Sequence, residues 1–317
     1  MNILVTGANG QLGRCIRDQV NEKKSKHNYI YTDVVSDAED GTEYLELIDE
    51  EAVTKFIKEH SINVIINCAA YTNVDKAEND YEMAEAVNAF APLYLANAAK
   101  MVGAKLIHIS TDYVFNGQGF MPYTETRATL PINVYGKTKE MGERHIIESG
   151  CQYLIFRTAW LYSEYGNNFV KTMLRLFAAT KKQINVINDQ VGTPTYAGNL
   201  AELIVNIIEE DKPLPGKDFI PLLENGIFHF TDEGVASWYD FASTIYYNSV
   251  FVNDILQING VTTKEYGSKT KRPYYSVLDK TKVKTTFKGL YNPIHWSRNV
   301  WYVVRKLEIK DNIKKDL

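Results

Sequence analysis

The sequence has few cysteines, no strong excess of either charge and no long apolar run, and each absence excludes a class of protein. It contains only three cysteines in 317 residues, Cys15, Cys68 and Cys151. They lie far apart without CxxC spacing, which argues against a disulfide framework and against a zinc site, so we expect no metal. A reducing, cytoplasmic environment is therefore expected.

The charge balance and hydropathy exclude two kinds of partner. Lys and Arg together number 35 and Asp and Glu 39, for a net charge of −4. This balance argues against binding to nucleic acid or to an anionic membrane surface. No stretch approaches the roughly 18 apolar residues of a membrane-spanning helix. The opening residues MNILVTGANG have no basic segment, so we expect no signal peptide.

What the sequence does contain is an alternation of short apolar strands and helical patterns. Strand-like runs occupy residues 2–6, 29–33, 63–70, 105–110 and 152–162, with helical patterns between them, including one long helix over 80–103. This alternation predicts an α/β fold with a doubly wound parallel sheet of the Rossmann type. After about residue 160 the rhythm loosens. We predict a dinucleotide-binding domain over residues 1–160, to which later segments return, and mainly a smaller substrate-binding lobe over 161–317.

A glycine-rich loop follows the first strand. In TGANGQLG, one glycine makes the tight turn, one lets the backbone approach a pyrophosphate, and one lets helix and strand pack closely. The N-terminus of the next helix then faces the phosphates, which favours bound anions. The stretch therefore predicts a dinucleotide cofactor, NADPH or NADH, in contact with Gly7, Asn9, Gly10, Gln11, Leu12, Gly13 and Arg14.

Two charged residues near this loop point to different cofactors. Asp33 ends the second strand about 20 residues beyond the loop, where a carboxylate accepts hydrogen bonds from the adenosine ribose of NAD. Arg14 follows the glycines, and a guanidinium there pairs with the 2′-phosphate of NADP. The choice between the two cofactors stays open at this stage.

The stretch YGKTK contains a catalytic pattern. Tyr135 and Lys139 are four residues apart in a helical segment and so share one helix face. A cationic lysine beside a phenol is expected to lower the phenol's pKa, and such a tyrosine exchanges a proton with a carbonyl or alcohol. Lys139 is also expected to hold the nicotinamide ribose. The strand tip at residues 110–111 supplies the second hydroxyl, for which Thr111 is the first choice and Ser110 the second.

TGANGQLG, STDYVF and YGKTK together resemble the extended short-chain dehydrogenase/reductase superfamily. VIINCAAYTNVDKAE, FRTAWLYSEYGNNFVKTMLRL and NDQVGTPTY resemble one family within it, the dTDP-4-dehydrorhamnose reductases, and the resemblance runs from residue 1 to about residue 290. It implies NAD(P)H-dependent reduction of the C4 keto group of a dTDP-linked 4-keto-6-deoxy sugar, to give dTDP-L-rhamnose. Thr111, Tyr135 and Lys139 match the family's catalytic positions.

The resemblance also implies further contacts. Those with the cofactor are Ala69, Ala70 and Tyr71, and those with the substrate are Thr72, Val74, Tyr113, Trp160, Asn168, Gln190 and Arg272. Two departures stand out. Glu46 in LELI replaces an aspartate near the adenine, which puts that contact in doubt. Cys15 lies where some members have a metal-binding acid, so a metal-bridged dimer is not supported, and a homodimer of another kind stays open.

Three other functions compete with this interpretation. A nucleotide-sugar dehydratase has Asp-Glu after its threonine, whereas Asp112 and Tyr113 follow Thr111 here, and the missing base disfavours elimination. An epimerase is excluded less firmly. A non-catalytic, nucleotide-binding regulatory subunit has no need of Thr111, Tyr135 and Lys139 together. The stereochemistry at C4 and the preferred nucleotide base stay open.

Overall fold

A computed structural model describes residues 1–179, 182–210, 225–251 and 256–315, with side chains to residue 308. Parts of the predicted second lobe, at 180–181, 211–224, 252–255 and 316–317, lie outside the described residues. The strands are β1 Asn2–Thr6, β2 Asn28–Asp33, β3 Thr42–Tyr44, β4 Val64–Asn67, β5 Lys105–Thr111, β6 Gln152–Thr158, β7 Leu161–Tyr162, β8 Gln183–Ile187, β9 Val191–Gly192, β10 Thr195–Tyr196, β11 Gly226–His229, β12 Ala236–Ser237 and β13 Gln257–Val261.

The helices alternate with these strands through the first half of the chain. The α-helices are α1 Gln11–Lys23, α2 Glu50–Glu59, α3 Val74–Ala77, α4 Tyr81–Glu85, α5 Ala91–Val102, α6 Val134–Ser149, α7 Phe169–Ala179, α8 Ala197–Glu210, α9 Trp238–Tyr247, α10 Thr263–Tyr266, α11 Thr281–Thr286 and α12 Trp296–Lys315. A π-helix spans Ala86–Phe90 and a 3-10 helix spans Asp112–Val114. No helix in the described part of the chain is long and apolar enough to span a membrane.

One seven-stranded sheet organises the fold, in the order β11-β6-β5-β4-β1-β2-β3. Every pairing in it is parallel. Helices α1 and α8 cover one face, and α2, α5 and α6 cover the other. In β1, Ile3, Leu4 and Val5 have no exposed surface, as expected for a strand covered on both faces. The predicted Rossmann-type α/β fold is confirmed.

A second core lies outside the sheet. Tyr162, Phe241 and Trp296 join apolar residues of α7, α9 and α12 there, next to the parallel pair of β8 and β13. Meanwhile β11 extends the main sheet beside β6, and α8 packs on its face, although both come late in the chain. The boundary at residue 160 stays a prediction.

Two elements differ from the sequence prediction. The helix expected over 80–103 has a wider π-helical turn at its centre, where Asn88 is fully buried. The strand expected over 152–162 ends at Thr158, because Trp160 adopts a left-handed backbone with φ of 48°. The chain turns there, and β7 pairs with β10 instead of continuing the sheet.

Candidate active site

The glycine loop is built for close approach of backbone to backbone. Gly7 has φ of +64°, and a Cβ added to it would lie 2.6 Å from the backbone nitrogen of Ala69. At Gly13 a Cβ would lie 2.6 Å from the Cα of Ala8. Helix α1 begins behind this loop, and Gly10, its N-cap, provides no capping side chain. The first turn of α1 therefore presents free N–H groups, which suit a bound pyrophosphate.

Asp33 and Arg14 have different partners beside this loop. One Asp33 carboxylate oxygen accepts a hydrogen bond from the backbone N–H of Asn9 at 3.0 Å, which ties the end of β2 to the glycine loop. The Arg14 guanidinium lies 2.7 Å from Asp40 and 3.7 Å from Asp37, both on the loop after β2. The cation that would favour NADP is thus already held by two carboxylates of this chain.

The segment after β4, which contains Ala69, Ala70 and Tyr71, is braced by a residue that the sequence analysis missed. The Asn88 side chain accepts from the backbone N–H of Tyr71 at 2.9 Å and donates to its carbonyl at 3.1 Å. Its amide also lies 3.2 Å from the Thr138 hydroxyl on α6. A lone amide in the apolar stretch AVNAFAP is the signal from which this role follows.

The carboxyl end of β5 and the start of α6 bring the predicted catalytic residues together. Thr111 ends β5, Tyr135 lies in the first turn of α6, and Lys139 lies one turn further on. Asn133 caps α6 by accepting from the backbone N–H of Gly136 at 2.8 Å. A Cβ at Gly136 would lie 2.2 Å from the Tyr113 carbonyl oxygen, so only glycine lets the helix dock this closely on the strand tip.

Two hydroxyls meet at this junction. The Thr111 hydroxyl lies 3.0 Å from Asp112 Oδ1 at the end of β5, and it is close enough to the Tyr135 phenol to affect the pKa of that phenol. Burial raises the pKa of Tyr135 to about 12, the hydrogen bond with Thr111 lowers it, and the charge of Asp112 raises it. The phenol therefore holds its proton at neutral pH, which is the form that a proton donor to a ketone needs.

The predicted effect of Lys139 on the Tyr135 pKa is wrong for this structure. The Lys139 ammonium, in a side chain that is only 1% exposed, donates to the carbonyl of Ile109 at 2.6 Å. It also lies 3.3 Å from His108 Nε2. Because the ammonium is directed to these two groups, burial remains the largest influence on the pKa of the Tyr135 phenol. Burial likewise lowers the pKa of Lys139 to about 8, although the nearby Glu143 opposes that shift.

His108 is a second residue that the sequence analysis missed. It is fully buried behind Lys139, and its Nδ1 lies 3.1 Å from the Asn67 side-chain nitrogen. Burial and the charge of Lys139 hold the His108 pKa well below its usual range, so the ring is neutral. A histidine within the apolar run KLIHI signals such a buried polar contact.

Ser110 and Thr111 point to opposite sides of β5. The Ser110 hydroxyl donates to Glu143, which also receives two hydrogen bonds from Arg157 at 2.9 and 2.6 Å. All three side chains are buried where α6, which carries Glu143, packs on the sheet. Because side chains alternate along a strand, Ser110 contacts the buried Glu143–Arg157 ion pair, whereas Thr111 lies at the junction with Tyr135.

A cleft of about 1220 Å³ borders this junction at Tyr113, and its lining residues do not include Thr111, Tyr135 or Lys139. Of the predicted substrate residues, Tyr113, Gln190 and Arg272 line it. Arg272 forms an ion pair of 2.8 Å with Asp75. The Gln190 amide donates to the hydroxyl of Thr263 at 3.0 Å. Two further cations, Lys76 and Lys269, and two aromatic side chains, Phe169 and Trp238, lie on the cleft wall and were not predicted.

The other predicted substrate residues are placed differently. Trp160 stacks on Trp238, with ring centroids 3.6 Å apart, and Trp238 lines the cleft. The Asn168 amide donates inward, to Gln11 at 2.9 Å and to the Ser163 carbonyl at 2.7 Å. Val74 begins α3, and Thr72 is exposed just before it. The roles assigned to all these residues stay predictions.

Three features define the short-chain dehydrogenase/reductase class. They are a doubly wound parallel sheet, a glycine loop before α1, and a Tyr one helical turn from a buried Lys beside a strand-end threonine. The family described as "RmlD substrate binding domain" matches residues 1–309. The chain is 40% identical over 299 residues to dTDP-4-dehydrorhamnose reductase of Aggregatibacter actinomycetemcomitans, covering 93% of this chain and 96% of the relative. The chain therefore belongs to the dTDP-4-dehydrorhamnose reductase family.

Solved structures agree with this assignment. The crystal structure of a dTDP-4-dehydrorhamnose reductase from Clostridium acetobutylicum matches with a TM-score of 0.84 and 40% identity, over 97% of this chain and 100% of that one. A dTDP-4-dehydrorhamnose reductase from Bacillus anthracis, solved in complex with NADP, matches with a TM-score of 0.81 and 33% identity, over 96% of this chain and 99% of that one.

Proposed function

We propose that this protein reduces the C4 ketone of dTDP-4-dehydro-L-rhamnose with NADPH or NADH and releases dTDP-L-rhamnose. The observation that carries the proposal is the placement of Tyr135 and Thr111 at the junction of β5 and α6, beside Tyr113 on the wall of a large cleft. Two convergent hydroxyls are what the oxygen of a ketone requires as it gains negative charge. We infer the sugar and the cofactor from the relatives, which are dTDP-4-dehydrorhamnose reductases, one of them solved in complex with NADP.

The residues present fit a dinucleotide cofactor. The glycine loop leaves no room for a Cβ at Gly7 or Gly13, and the uncapped first turn of α1 offers N–H groups to a pyrophosphate. Asp33 lies at the end of β2, where the adenosine ribose is expected. When bound, the reduced nicotinamide supplies the hydride that reaches C4. Lys139 is the residue that we expect to hold the nicotinamide ribose, and its ammonium must turn from the Ile109 carbonyl to do so.

Residues of this chain supply the proton to the ketone oxygen and stabilise the negative charge that develops on it. Tyr135 donates its proton to the ketone oxygen, and the raised pKa of the phenol, about 12, keeps that proton available at neutral pH. Thr111 donates a hydrogen bond to the same oxygen, and this bond strengthens as charge develops there. Gly136 and the Asn133 cap fix the start of α6 on the strand tip, so neither hydroxyl has to reorganise during the reaction.

The cleft suits a nucleotide sugar. Its walls present the cations Lys76, Lys269 and Arg272, which complement a pyrophosphate, together with the carboxylates Asp75 and Glu78. Phe169 and Trp238 add aromatic faces suited to a base or to the C–H surface of a sugar ring. The three cysteines are unpaired, which fits work in the reducing cytoplasm.

Turnover of the keto sugar tests the proposal. The purified protein is mixed with dTDP-glucose, the two enzymes that convert it to the 4-keto-L-sugar, and NADPH or NADH in separate reactions. We expect one equivalent of coenzyme to be oxidised per equivalent of ketone. Tyr135→Phe is the matched control, because it keeps the ring and removes the proton. Binding of coenzyme and sugar without oxidation would favour the regulatory alternative.

A further inference from the structure

Asp112 is a buried acid that the mechanism above leaves without a role. It directly follows Thr111, begins the 3-10 helix and is only 2% exposed. One carboxyl oxygen, Oδ1, lies 3.0 Å from the Thr111 hydroxyl. The other, Oδ2, makes no hydrogen bond of ordinary geometry among the residues that the structure describes, although the Ser276 hydroxyl is near enough to affect the pKa of this carboxyl. A buried carboxylate with an unpartnered oxygen is unfavourable, whereas a neutral carboxyl tolerates that position far better.

The hydrogen-bond capacity of Thr111 makes the state of Asp112 matter. A hydroxyl has one proton and two lone pairs. The Thr111 oxygen already accepts from the backbone N–H of Tyr113 at 3.2 Å. If Asp112 is ionised, the single proton of Thr111 is directed to Asp112, and none is left for the ketone. If Asp112 is protonated on Oδ1, it donates to Thr111 instead. Both lone pairs are then filled, and the Thr111 proton is free to reach the ketone oxygen.

We propose that Asp112 is a positioning residue that acts in its protonated form, donating to Thr111 so that Thr111 can donate to the ketone oxygen. This inference rests on the proposed function. It requires no net proton transfer by Asp112, which keeps its proton through the turnover. The proton that ends on the product alcohol comes from Tyr135, and the hydride comes from the coenzyme.

The surroundings of Asp112 favour the neutral form. The titratable or polar side chains that face it are Thr111, Tyr113, Tyr135 and Ser276. The nearby cations are engaged elsewhere: Arg272 with Asp75, and Lys139 with the Ile109 carbonyl. Burial accordingly raises the pKa of Asp112 to about 7, although the hydroxyls of Ser276 and Thr111 and the backbone N–H groups of Asp112 and Tyr113 lower it.

The proposal has a definite pH dependence. Asp112 is protonated below its pKa of about 7, so kcat should fall as the pH rises through that value. Tyr135, with a pKa of about 12, does not titrate in this range. Lys139, with a pKa of about 8, contributes a separate loss of coenzyme binding at higher pH. Saturating coenzyme removes the Lys139 effect from kcat, and the remaining fall near neutrality belongs to Asp112.

The test is the pH profile of kcat for wild type, Asp112→Asn and Asp112→Ala, with saturating coenzyme and keto sugar. An asparagine amide donates to Thr111 at every pH, so Asp112→Asn should keep wild-type kcat at acid pH within about threefold and lose the fall near neutrality. Asp112→Ala removes both the donor and the competing acceptor, so its kcat should also lose the fall near neutrality. It should lie below that of Asp112→Asn, because only the backbone N–H of Tyr113 then orients the Thr111 hydroxyl. Thr111→Val combined with Asp112→Ala should be no slower than Thr111→Val alone, because Asp112 acts only through Thr111.

Two results would overturn the inference. One is an Asp112→Asn profile that keeps the wild-type fall near neutrality. The other is the absence, in the infrared spectrum of wild type below neutral pH, of a protonated-carboxyl band that disappears in Asp112→Asn. The infrared measurement needs no turnover. Failure of wild type to oxidise coenzyme with the keto sugar would instead contradict the proposed function, so the two failures are distinguishable.

Discussion

Tyr135 is the residue on which the proposed chemistry depends most. We expect Tyr135→Phe to lower kcat by about 10²- to 10⁴-fold, the usual worth of a positioned general acid, while the dissociation constant of NADH hardly changes. The ring still packs against Tyr113, whose centroid lies 5.7 Å away, so the fold around it should be preserved. Steady-state kinetics and coenzyme fluorescence measure the two effects. A loss in kcat smaller than roughly threefold would exclude Tyr135 as the proton donor.

The neighbours Ser110 and Thr111 provide a matched pair of substitutions. Thr111→Val keeps the β-branched shape and removes the donor, so kcat should fall by about 10- to 10³-fold with little change in KM. Ser110→Ala removes only a hydrogen bond to the buried Glu143, so it should cost stability and leave kcat within a few-fold of wild type. Kinetics and urea denaturation of both variants separate these effects. A larger loss of kcat in Ser110→Ala would show that the wrong hydroxyl has been assigned.

At this scale the sequence indicated the positions of the predicted catalytic residues better than it indicated their electrostatics. The spacing of Tyr135 and Lys139 places them on one helix face wherever the helix forms, so their proximity follows from periodicity alone. The direction of the Lys139 ammonium does not. It depends on the Ile109 carbonyl and His108, which β5 brings beneath α6. Tertiary contacts of this kind cannot be predicted from local spacing.

Among the elements, the loop after β2 bears on the choice between the two coenzymes. Asp40 lies 2.7 Å from the Arg14 guanidinium and competes with a 2′-phosphate for it. Asp40→Asn should therefore strengthen NADPH binding by about tenfold, through removal of a repulsive charge and release of Arg14, and leave NADH binding nearly unchanged. Dissociation constants for both coenzymes, from fluorescence titration at one ionic strength, measure the effect.

Glu39→Gln is the control for this experiment. Glu39 lies on the same loop and carries the same charge as Asp40, but Arg14 pairs with Asp37 and Asp40. If Glu39→Gln strengthens NADPH binding as much as Asp40→Asn does, the effect is one of net charge. The release of Arg14 would then play no part in coenzyme choice.

The order and type of the main elements followed from the sequence, whereas their interruptions did not. Alternating apolar strands and amphipathic helices predicted the parallel sheet, because the two periods are intrinsic to strand and helix. The π-helical turn at Asn88 and the break at Trp160 depend on distant partners, namely the Tyr71 backbone and the Trp238 ring. Both interruptions lie next to the candidate site, where local sequence rules are most often overridden.

At the scale of the whole molecule, α12 is anchored across the fold by a partly buried ion pair. Lys306 on α12 lies 2.6 Å from Glu164, whose side chain is 2% exposed and also accepts from the Tyr196 hydroxyl at 3.2 Å. Lys306→Met leaves that buried carboxylate without its cation. We expect the free energy of unfolding to fall by about 2–4 kcal/mol, as measured by urea denaturation.

The adjacent residue on the same helix supplies the comparison. Arg305, whose side chain is 52% exposed, pairs with Glu308 at 3.2 Å. Exposed pairs of this kind are worth about 0–1 kcal/mol, so Arg305→Met should be close to neutral. Equal losses in the two variants would mean that the buried Glu164 does not control how firmly α12 is anchored.

Transfer of a labelled hydride tests the central claim most directly. The protein is supplied with the 4-keto-L-sugar nucleotide and with NADPH or NADH that carries deuterium at C4 of the nicotinamide, and the product is analysed by NMR. The proposed function predicts dTDP-L-rhamnose with deuterium at C4 of the sugar, one atom per coenzyme oxidised, and no product with Tyr135→Phe on the same time scale. Recovery of the keto sugar unchanged, or of a product labelled elsewhere, would contradict it.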